Sequence, residues 1–355
     1  MPITLASLTD LAALPFDDII DVRSPAEFAD DHLPGAINLP VLDNDERARV
    51  GTIYKQVSPF DARKLGGALV AANAARHLLG PLAARPGGWR PLVHCWRGGM
   101  RSGSFATILS SVGWRTETLT GGYKAWRALV VQALYDHPPP APVVLLDGNT
   151  GSAKTELLAL MPARGVQVID LEGLANHRGS LFGAMGPQPP QKLFEGRLAM
   201  ALAGLDPTRP VLVEAESAKV GNLRLPPPLW QAMTTAPRLA IAAPLEERAA
   251  YLTRSYADIT DDPARLADTL AALRPYHPAD RIAQWQALAT TGGFAALAAD
   301  LVYHHYDPRY RKHRDRATVP VTAIAAPSLA PAALPAVADR LANALHSMTQ
   351  TKGAA

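Results

Sequence analysis

The octapeptide Gly148-Asn149-Thr150-Gly151-Ser152-Ala153-Lys154-Thr155 constrains this chain more than any other stretch. An apolar run, Val143-Val144-Leu145-Leu146-Asp147, precedes it, and a helical pattern over residues 154–160 follows. Strand, glycine-bearing turn and helix, in that order, make a phosphate cradle. Backbone N–H groups converge on anionic oxygens at a helix N-terminus, Lys154 neutralises charge, and the Thr155 hydroxyl is placed to bind Mg²⁺. Gly148, Thr150, Gly151 and Ser152 supply the turn. The second motif glycine is Ala153 here; its methyl is tolerable if φ stays below zero, and it counts mildly against tight nucleotide binding. The loop calls for a diphosphate or polyphosphate without specifying a nucleotide. It also calls for an α/β domain with a parallel sheet.

The same order of elements occurs once more, nearer the N-terminus. Pro91-Leu92-Val93-His94 reads as a buried strand, His94-Cys95-Trp96-Arg97-Gly98-Gly99-Met100-Arg101-Ser102 as a loop, and residues 102–112 as a helix. Loop N–H groups beside a helix N-terminus stabilise an anion, which favours the thiolate of Cys95. Arg97 and Arg101 add positive charge, and Arg101 could grip an oxyanion with two hydrogen bonds. The plainer reading is a buried core cysteine, but a Gly-Gly loop with two arginines is costly to place in a core. Cys95 is the chain's only cysteine, so neither an intramolecular disulfide nor a Cys-rich zinc site can form.

Three hundred and fifty-five residues suggest two domains. Hydrophobic residues make up 48%, enough for two cores and too many for a disordered chain. A net charge of +3 does not by itself mark a nucleic-acid binder. Apolar runs alternate with helical patterns over residues 18–135, and the same alternation resumes at 143, so both halves are expected to hold parallel sheets. Between them lies His137-Pro138-Pro139-Pro140-Ala141-Pro142, a stiff spacer. The expected division is a first domain at 1–136, a linker at 137–142 and a phosphate-loop domain at 143–305. A basic segment and a C-terminal amphipathic helix occupy 306–355, the helix carrying Leu334, Val337, Leu341 and Leu345 on one face. Asp170, Glu214 and Glu216 close two apolar strand patterns and are candidates to act as acid or base, or to sit near Mg²⁺. Ordinary solvated strand ends are about as good a reading of each one singly. The N-terminus lacks a basic signal-peptide region, and prolines interrupt the most apolar stretch, around 318–337. A cytoplasmic protein with no membrane partner is expected.

Asp21-Val22-Arg23-Ser24-Pro25-Ala26-Glu27-Phe28, His32-Leu33-Pro34-Gly35-Ala36-Ile37-Asn38-Leu39-Pro40 and the cysteine loop together resemble the rhodanese family, whose loop cysteine accepts sulfur as a persulfide. The spacing from His94-Cys95 to Arg101 is also that of cysteine phosphatases, so the loop suits a phosphate-sized anion. Over a longer span the chain resembles the tRNA 2-selenouridine synthase family, a rhodanese domain fused to a P-loop domain of NTPase-like fold. The stretches that carry this are Gly51-Thr52-Ile53-Tyr54-Lys55-Gln56, Gly121-Gly122-Tyr123-Lys124-Ala125, Asp170-Leu171-Glu172-Gly173-Leu174-Ala175-Asn176-His177-Arg178-Gly179-Ser180 and Glu214-Ala215-Glu216-Ser217.

The resemblance implies an exchange at wobble uridine 34 of tRNA. The sulfur of 2-thiouridine is alkylated from geranyl diphosphate, and the geranylthio group is then replaced by selenium from selenophosphate. It makes Cys95 the carrier of the selenium step and the P-loop the holder of the diphosphate, with an enzyme that supplies selenophosphate as a partner. His177 and Arg178 become candidate substrate contacts. Arg309, Arg311 and Lys312, in a Tyr-interleaved basic segment over 303–316, become candidate tRNA contacts. The competing readings are a rhodanese-like sulfurtransferase or phosphatase carrying a P-loop NTPase module, and a non-enzymatic RNA-binding protein.

Overall fold

Strands of a parallel sheet covered on both faces are apolar along their whole length, and the two best apolar runs of this chain each become such a strand. The structure, a computed structural model, describes residues 2–179, 182, 183, 185–309 and 319–352. Arg311 and Lys312 lie outside the described residues. The chain divides into two units, Met1–His137 with Pro189–Gly204, and Pro138–Gln188 with Leu205–Ala355.

The first unit is built on a parallel sheet of β1 (Asp18–Asp21), β2 (Ala36–Asn38), β3 (Pro91–His94) and β4 (Glu117–Thr118), in the order β2-β1-β3-β4. All four residues of β3 are buried. The register sets Asp21 opposite His94, so the Asp21-Val22-Arg23 segment runs beside the strand that delivers Cys95. Ser24 and Glu27 form a reciprocal capping box at helix Pro25–Asp30, with the proline in its first turn. Asp43 and Glu46 do the same for helix Asn44–Gln56, which the apolar periodicity did not announce.

Helix Gln191–Ala203 departs from the expected division, because it packs on the first unit rather than in the phosphate-loop domain. Arg127 pairs with Glu195 and donates to the Lys192 carbonyl at 3.1 Å, and the Tyr135 hydroxyl donates to Glu195 at 2.7 Å. Gly196 permits the approach, since a Cβ there would come within 2.7 Å of the Trp126 ring.

The second unit has a five-stranded parallel sheet in the order β11-β10-β5-β7-β6. Its strands are β5 (Val143–Gly148), β6 (Gln167–Ile169), β7 (Val211–Glu214), β10 (Arg238–Ala242) and β11 (Val321–Ala325). A two-residue hairpin of β8 (Lys219–Val220) and β9 (Leu223–Arg224) lies outside it. Helices Leu245–Ser255, Pro263–Ala271, Ala279–Thr290 and Phe294–Leu301 add a helical layer whose core includes Leu266, Ile282, Trp285 and Leu297.

The chain beyond residue 305 is not a separate piece. β11 joins the sheet edge beside β10, and helix Leu334–Lys352 buries the expected Leu334, Val337, Leu341 and Leu345 in one core with Leu157, Leu158 and Met161. The proline-flanked β11 was not apparent as a strand. Residues 138–142 likewise belong to the second unit, where Ala141 is buried and the Pro142 carbonyl accepts from Val211 at 2.9 Å. Among the described residues no helix is long and apolar enough to cross a membrane. Leu341 is fully buried, so Leu341→Ala should destabilise the second unit by about 2–5 kcal/mol. Urea unfolding should show this as a lower midpoint for that unit, whereas a peripheral C-terminal helix would leave the midpoint unmoved.

Candidate functional site

Cys95 leaves the end of β3 and is buried, with the helix Met100–Val112 beginning four residues after the loop opens. Its sulfur accepts a hydrogen bond from the Ser102 hydroxyl at 3.2 Å. Burial alone would push the thiol up. The Ser102 hydroxyl and N–H, the Arg101 charge and the Arg97 N–H outweigh it and hold the thiol below its ordinary value. The loop is locked from behind by the turn at residues 121–124, where the N–H groups of Tyr123 and Lys124 donate to the carbonyls of Cys95 and Trp96, both at 2.9 Å. Gly122 makes that lock feasible. Its φ is +57°, and a Cβ there would fall 2.3 Å from the Cys95 carbonyl oxygen.

Arg101 is held by Glu27 through contacts of 2.8 and 3.4 Å, and Arg47 approaches the same carboxylate at 3.7 Å. Glu27, quoted above only within a rhodanese-like stretch, therefore caps one helix and orients the loop arginine. Arg97 is exposed at the rim. Cys95, Arg97, Arg101, Arg47, Lys55 and Tyr54 line a cleft of about 640 Å³ with a positive rim. Behind the loop, Arg23 forms a buried pair with Asp21 at 2.5 Å and lies 4.0 Å over the Tyr123 ring. The Tyr123 hydroxyl donates to Asp31 at 2.8 Å.

In the second unit the phosphate loop joins β5 to helix Lys154–Leu160. Lys154 Nζ donates to the Gly148 carbonyl at 3.0 Å, and Gly148 N–H to Asp147 at 2.7 Å. Asp147 pairs with Arg238 at 3.0 Å. The Ser152 hydroxyl is buried in the loop with no hydrogen-bond partner among the described residues, as suits a group facing an anion. The condition on Ala153 is not met, for its φ is +57°, in the left-handed region that glycine favours. Its methyl is buried among Leu157, Leu158 and Ile241, which offsets a conformational cost of about 1–2 kcal/mol.

The sheet register brings the acidic strand ends to this loop. Asp170 follows Ile169, which lies opposite Val213, and Glu214 lies opposite Leu146 of β5. Asp170 caps helix Leu171–Ala175, accepting from Gly173 N–H at 2.6 Å. Glu172, not singled out by its place in the sequence, accepts from the Thr155 hydroxyl at 2.8 Å, and its N–H donates to Glu214 at 3.1 Å. Burial and the neighbouring Glu172 carboxylate push Glu216 up to about 8, and the same two causes raise Glu214 well above the carboxylate range. Burial raises Glu172 as well. Raised carboxylates in a cleft beside a phosphate loop make it a candidate functional site.

The cleft holds about 390 Å³ between the loop, Glu172, Glu216, Arg178 and Tyr256. Arg178 pairs with Asp258 at 3.0 Å and lies 4.7 Å over the Tyr256 ring, so it forms a wall of the cleft. His177 Nδ1 accepts from Gly179 N–H at 3.1 Å, and burial lowers its pKa. Arg309 lies 4.5 Å over Tyr276 and 3.2 Å from His305. Arg248 and Asp307 were missed because they are remote in sequence. Arg248 donates to the Thr150 carbonyl at 2.9 Å and pairs with Asp307 at 2.6 Å, and Asn149 donates to the same carboxylate at 3.0 Å. Mg²⁺ takes oxygen ligands, typically one or two carboxylates with substrate phosphates. Thr155 and Glu172 fit an ion shared with a bound diphosphate. A protein-only cage does not fit, since among the described residues no group of three or more His, Cys, Asp or Glu side chains could hold a metal.

A cysteine loop on a four-stranded parallel sheet and a phosphate loop on a five-stranded one define a rhodanese domain fused to a P-loop domain. A rhodanese-like domain model matches residues 4–129, and the model described as tRNA 2-selenouridine synthase AAA domain matches residues 141–276. The tRNA 2-selenouridine synthase of Chromohalobacter salexigens is 34% identical over 327 residues, 82% of this chain and 87% of that protein. That of Cupriavidus pinatubonensis is 33% identical over 336 residues, 84% and 89%. That of Hahella chejuensis is 38% identical over 250 residues, 67% and 63%. The chain belongs to the tRNA 2-selenouridine synthase family, a family of tRNA-modifying enzymes.

Two outcomes follow from the electrostatics. Ser102→Ala removes the hydroxyl from the Cys95 sulfur, so the thiol pKa should rise; alkylation by iodoacetamide across a pH series should show the midpoint displaced upward. For Glu216 the folded-state value of about 8 lies above the ordinary 4.5. Between those values the folded state holds a proton that the unfolded chain has lost, so the second unit loses stability as pH rises from about 4.5 to about 8. Glu216→Gln should flatten that decline in a series of thermal melts.

Proposed function

We propose that this chain exchanges the sulfur of 2-thiouridine at the tRNA wobble position for selenium, through an S-geranylated intermediate. The pairing of a lowered thiol in a phosphate-sized loop with a separate P-loop supports this reading, because it accounts for both sites on one chain. In the first step the thiouridine sulfur attacks C1 of geranyl diphosphate, the C1–O bond breaks and diphosphate leaves. Lys154 and the loop N–H groups stabilise that leaving anion, and Mg²⁺, held by Thr155 and Glu172, would supply further charge neutralisation. The proton that the uracil ring loses on S-alkylation is assigned to the ionised form of Glu216, whose raised value of about 8 suits proton exchange near neutral pH. Alkylation turns the C2 sulfur into a better leaving group than a hydrosulfide.

In the second step the selenium of selenophosphate attacks C2, the C2–S bond breaks and geranylthiol departs; water then attacks phosphorus, the P–Se bond breaks and phosphate leaves, so that selenium stays on C2. Cys95 carries this step. Ser102, Arg97 and Arg101 stabilise the anionic atoms, and the rim of Arg47 and Lys55 complements a phosphate-bearing substrate. Selenophosphate and geranyl diphosphate are thus co-substrates, and tRNA is the macromolecular partner. Arg309, Arg311 and Lys312 are the proposed tRNA contacts, which a salt-dependent affinity would reflect.

Nucleoside mass spectrometry after incubation with 2-thiouridine tRNA, geranyl diphosphate and selenophosphate tests the reading. The wild-type chain should yield both geranylated and selenated uridine. Cys95→Ser should lose the selenated product and keep the geranylated one. Lys154→Ala should lower geranylation by about tenfold or more, the effect of one lost charge-assisted contact. Loss of both products in Cys95→Ser would overturn the division of labour between the two loops.

A further inference from the structure

Beside the phosphate cleft lies an apolar cavity that the two-step reaction leaves unassigned. Leu252, Tyr256, Ile259, Leu266, Phe294 and Leu297 form most of its walls, and Thr150 of the phosphate loop closes one side. Thr150, Leu252 and Tyr256 also line the phosphate cleft, so the two spaces share a wall. Few polar groups reach the cavity. The hydroxyls of Thr253 and Thr260 donate to the helix carbonyls of Ala249 and Ala257, at 3.0 and 3.1 Å, and so are satisfied within the helices.

Such a cavity rejects a nucleoside, which needs partners for the polar edges of a base and a ribose. It accepts hydrocarbon, whose transfer from water is favourable in proportion to the area buried. The space is partly open and holds about 70 Å³, enough for the end of a chain, and the 390 Å³ cleft next to it takes the remainder and the phosphates. The charge pattern agrees, with Lys154 and the loop at one end and carbon at the other.

We propose that this cavity is the prenyl site of the P-loop unit. The diphosphate of a prenyl diphosphate lies on the phosphate loop, and its hydrocarbon tail runs past Thr150 between Leu252 and Tyr256 to Leu266 and Leu297. The inference rests on the function proposed above and adds to it what selects the donor. The loop reads the diphosphate, the helical layer reads the chain, and ATP is excluded because the adjoining wall offers nothing to a base. Leu297 is almost fully buried at the cavity and Ala298 lines it at partial exposure, so the first can enlarge the space and the second can fill it.

Equilibrium binding to the full chain tests this, with inorganic pyrophosphate, geranyl diphosphate, farnesyl diphosphate and ATP as probes. Wild type should bind geranyl diphosphate at least about tenfold more tightly than pyrophosphate, the gain from burying part of the tail. Ala298→Phe should lose most of that gain while its pyrophosphate affinity and melting temperature stay near wild type. Leu297→Ala should move the preference towards farnesyl diphosphate. A folded Ala298→Phe that keeps the full geranyl preference, together with an unmoved preference in Leu297→Ala, would place the tail elsewhere and overturn the inference while leaving the proposed function intact. A wild-type chain that binds ATP and shows no preference for geranyl diphosphate over pyrophosphate would overturn both.

Discussion

Parallel strands end on one edge of their sheet, and the chemistry of both units depends on that constraint. In the second unit β5 lies between β10 and β7, and β6 lies beyond β7. The register therefore carries the phosphate loop, Asp170, Glu214 and Glu216 to one edge, although more than sixty positions separate the first from the last. Ligands of open α/β sheets bind at such edges. The cost of this convergence is electrostatic. Three carboxyl groups, Glu172, Glu214 and Glu216, are buried at this edge; burial raises all three, and the Glu172 carboxylate adds to the rise of Glu214 and Glu216. The same crowding that makes the site expensive to fold makes it ready to exchange protons near neutral pH.

Both anion loops are set by backbone geometry before any ligand arrives. In the first unit Gly122 lets the turn at 121–124 press against the back of the cysteine loop, so the carbonyls of Cys95 and Trp96 are fixed by two hydrogen bonds. The N–H groups of Arg97 and Ser102 are left to face the sulfur. In the second unit Ala153 holds a left-handed conformation without being glycine. Glycine would adopt it at no steric cost but would lose conformational freedom on folding and leave the methyl's place in the core unfilled. The loop is thus rigid by packing rather than by residue type. Arg248 reinforces it from outside by donating to the Thr150 carbonyl.

What the sequence made legible was local. The two strand–loop–helix passages, the thiol loop, the phosphate loop and the apolar stripe of the last helix are all written in contiguous residues, and each is found where its pattern lies. What stayed hidden depends on partners far along the chain. Nothing near Glu195 and Gly196 announces that they meet Arg127 and Trp126, about seventy positions earlier, and so the packing of helix Gln191–Ala203 with the first unit was not legible. β11 was concealed by prolines on either side and by an alanine-rich composition that reads equally well as loop. Glu27 and Glu172 were visible as residues but not as partners of Arg101 and Thr155, because those contacts span 74 and 17 positions.

The basic segment shows how a composition can mislead about charge. Over residues 303–316 five lysines and arginines stand against two aspartates, which suggests one continuous positive face. The described part of it behaves otherwise. Asp307 is committed to Arg248 and Asn149 at the phosphate loop, so the segment begins as part of the P-loop's support. Tyr306 lines the apolar cavity rather than offering a surface for base stacking. Arg309 is laid over Tyr276 and against His305, which burial, with the Arg309 charge second, lowers to about 4 and so keeps neutral. The first turn of the segment is therefore tied at three points to the unit that carries the phosphate loop. The described start of the basic segment is thus fixed by Asp307 to the phosphate loop and by Arg309 to Tyr276, and its charges are committed within the unit before any partner is considered.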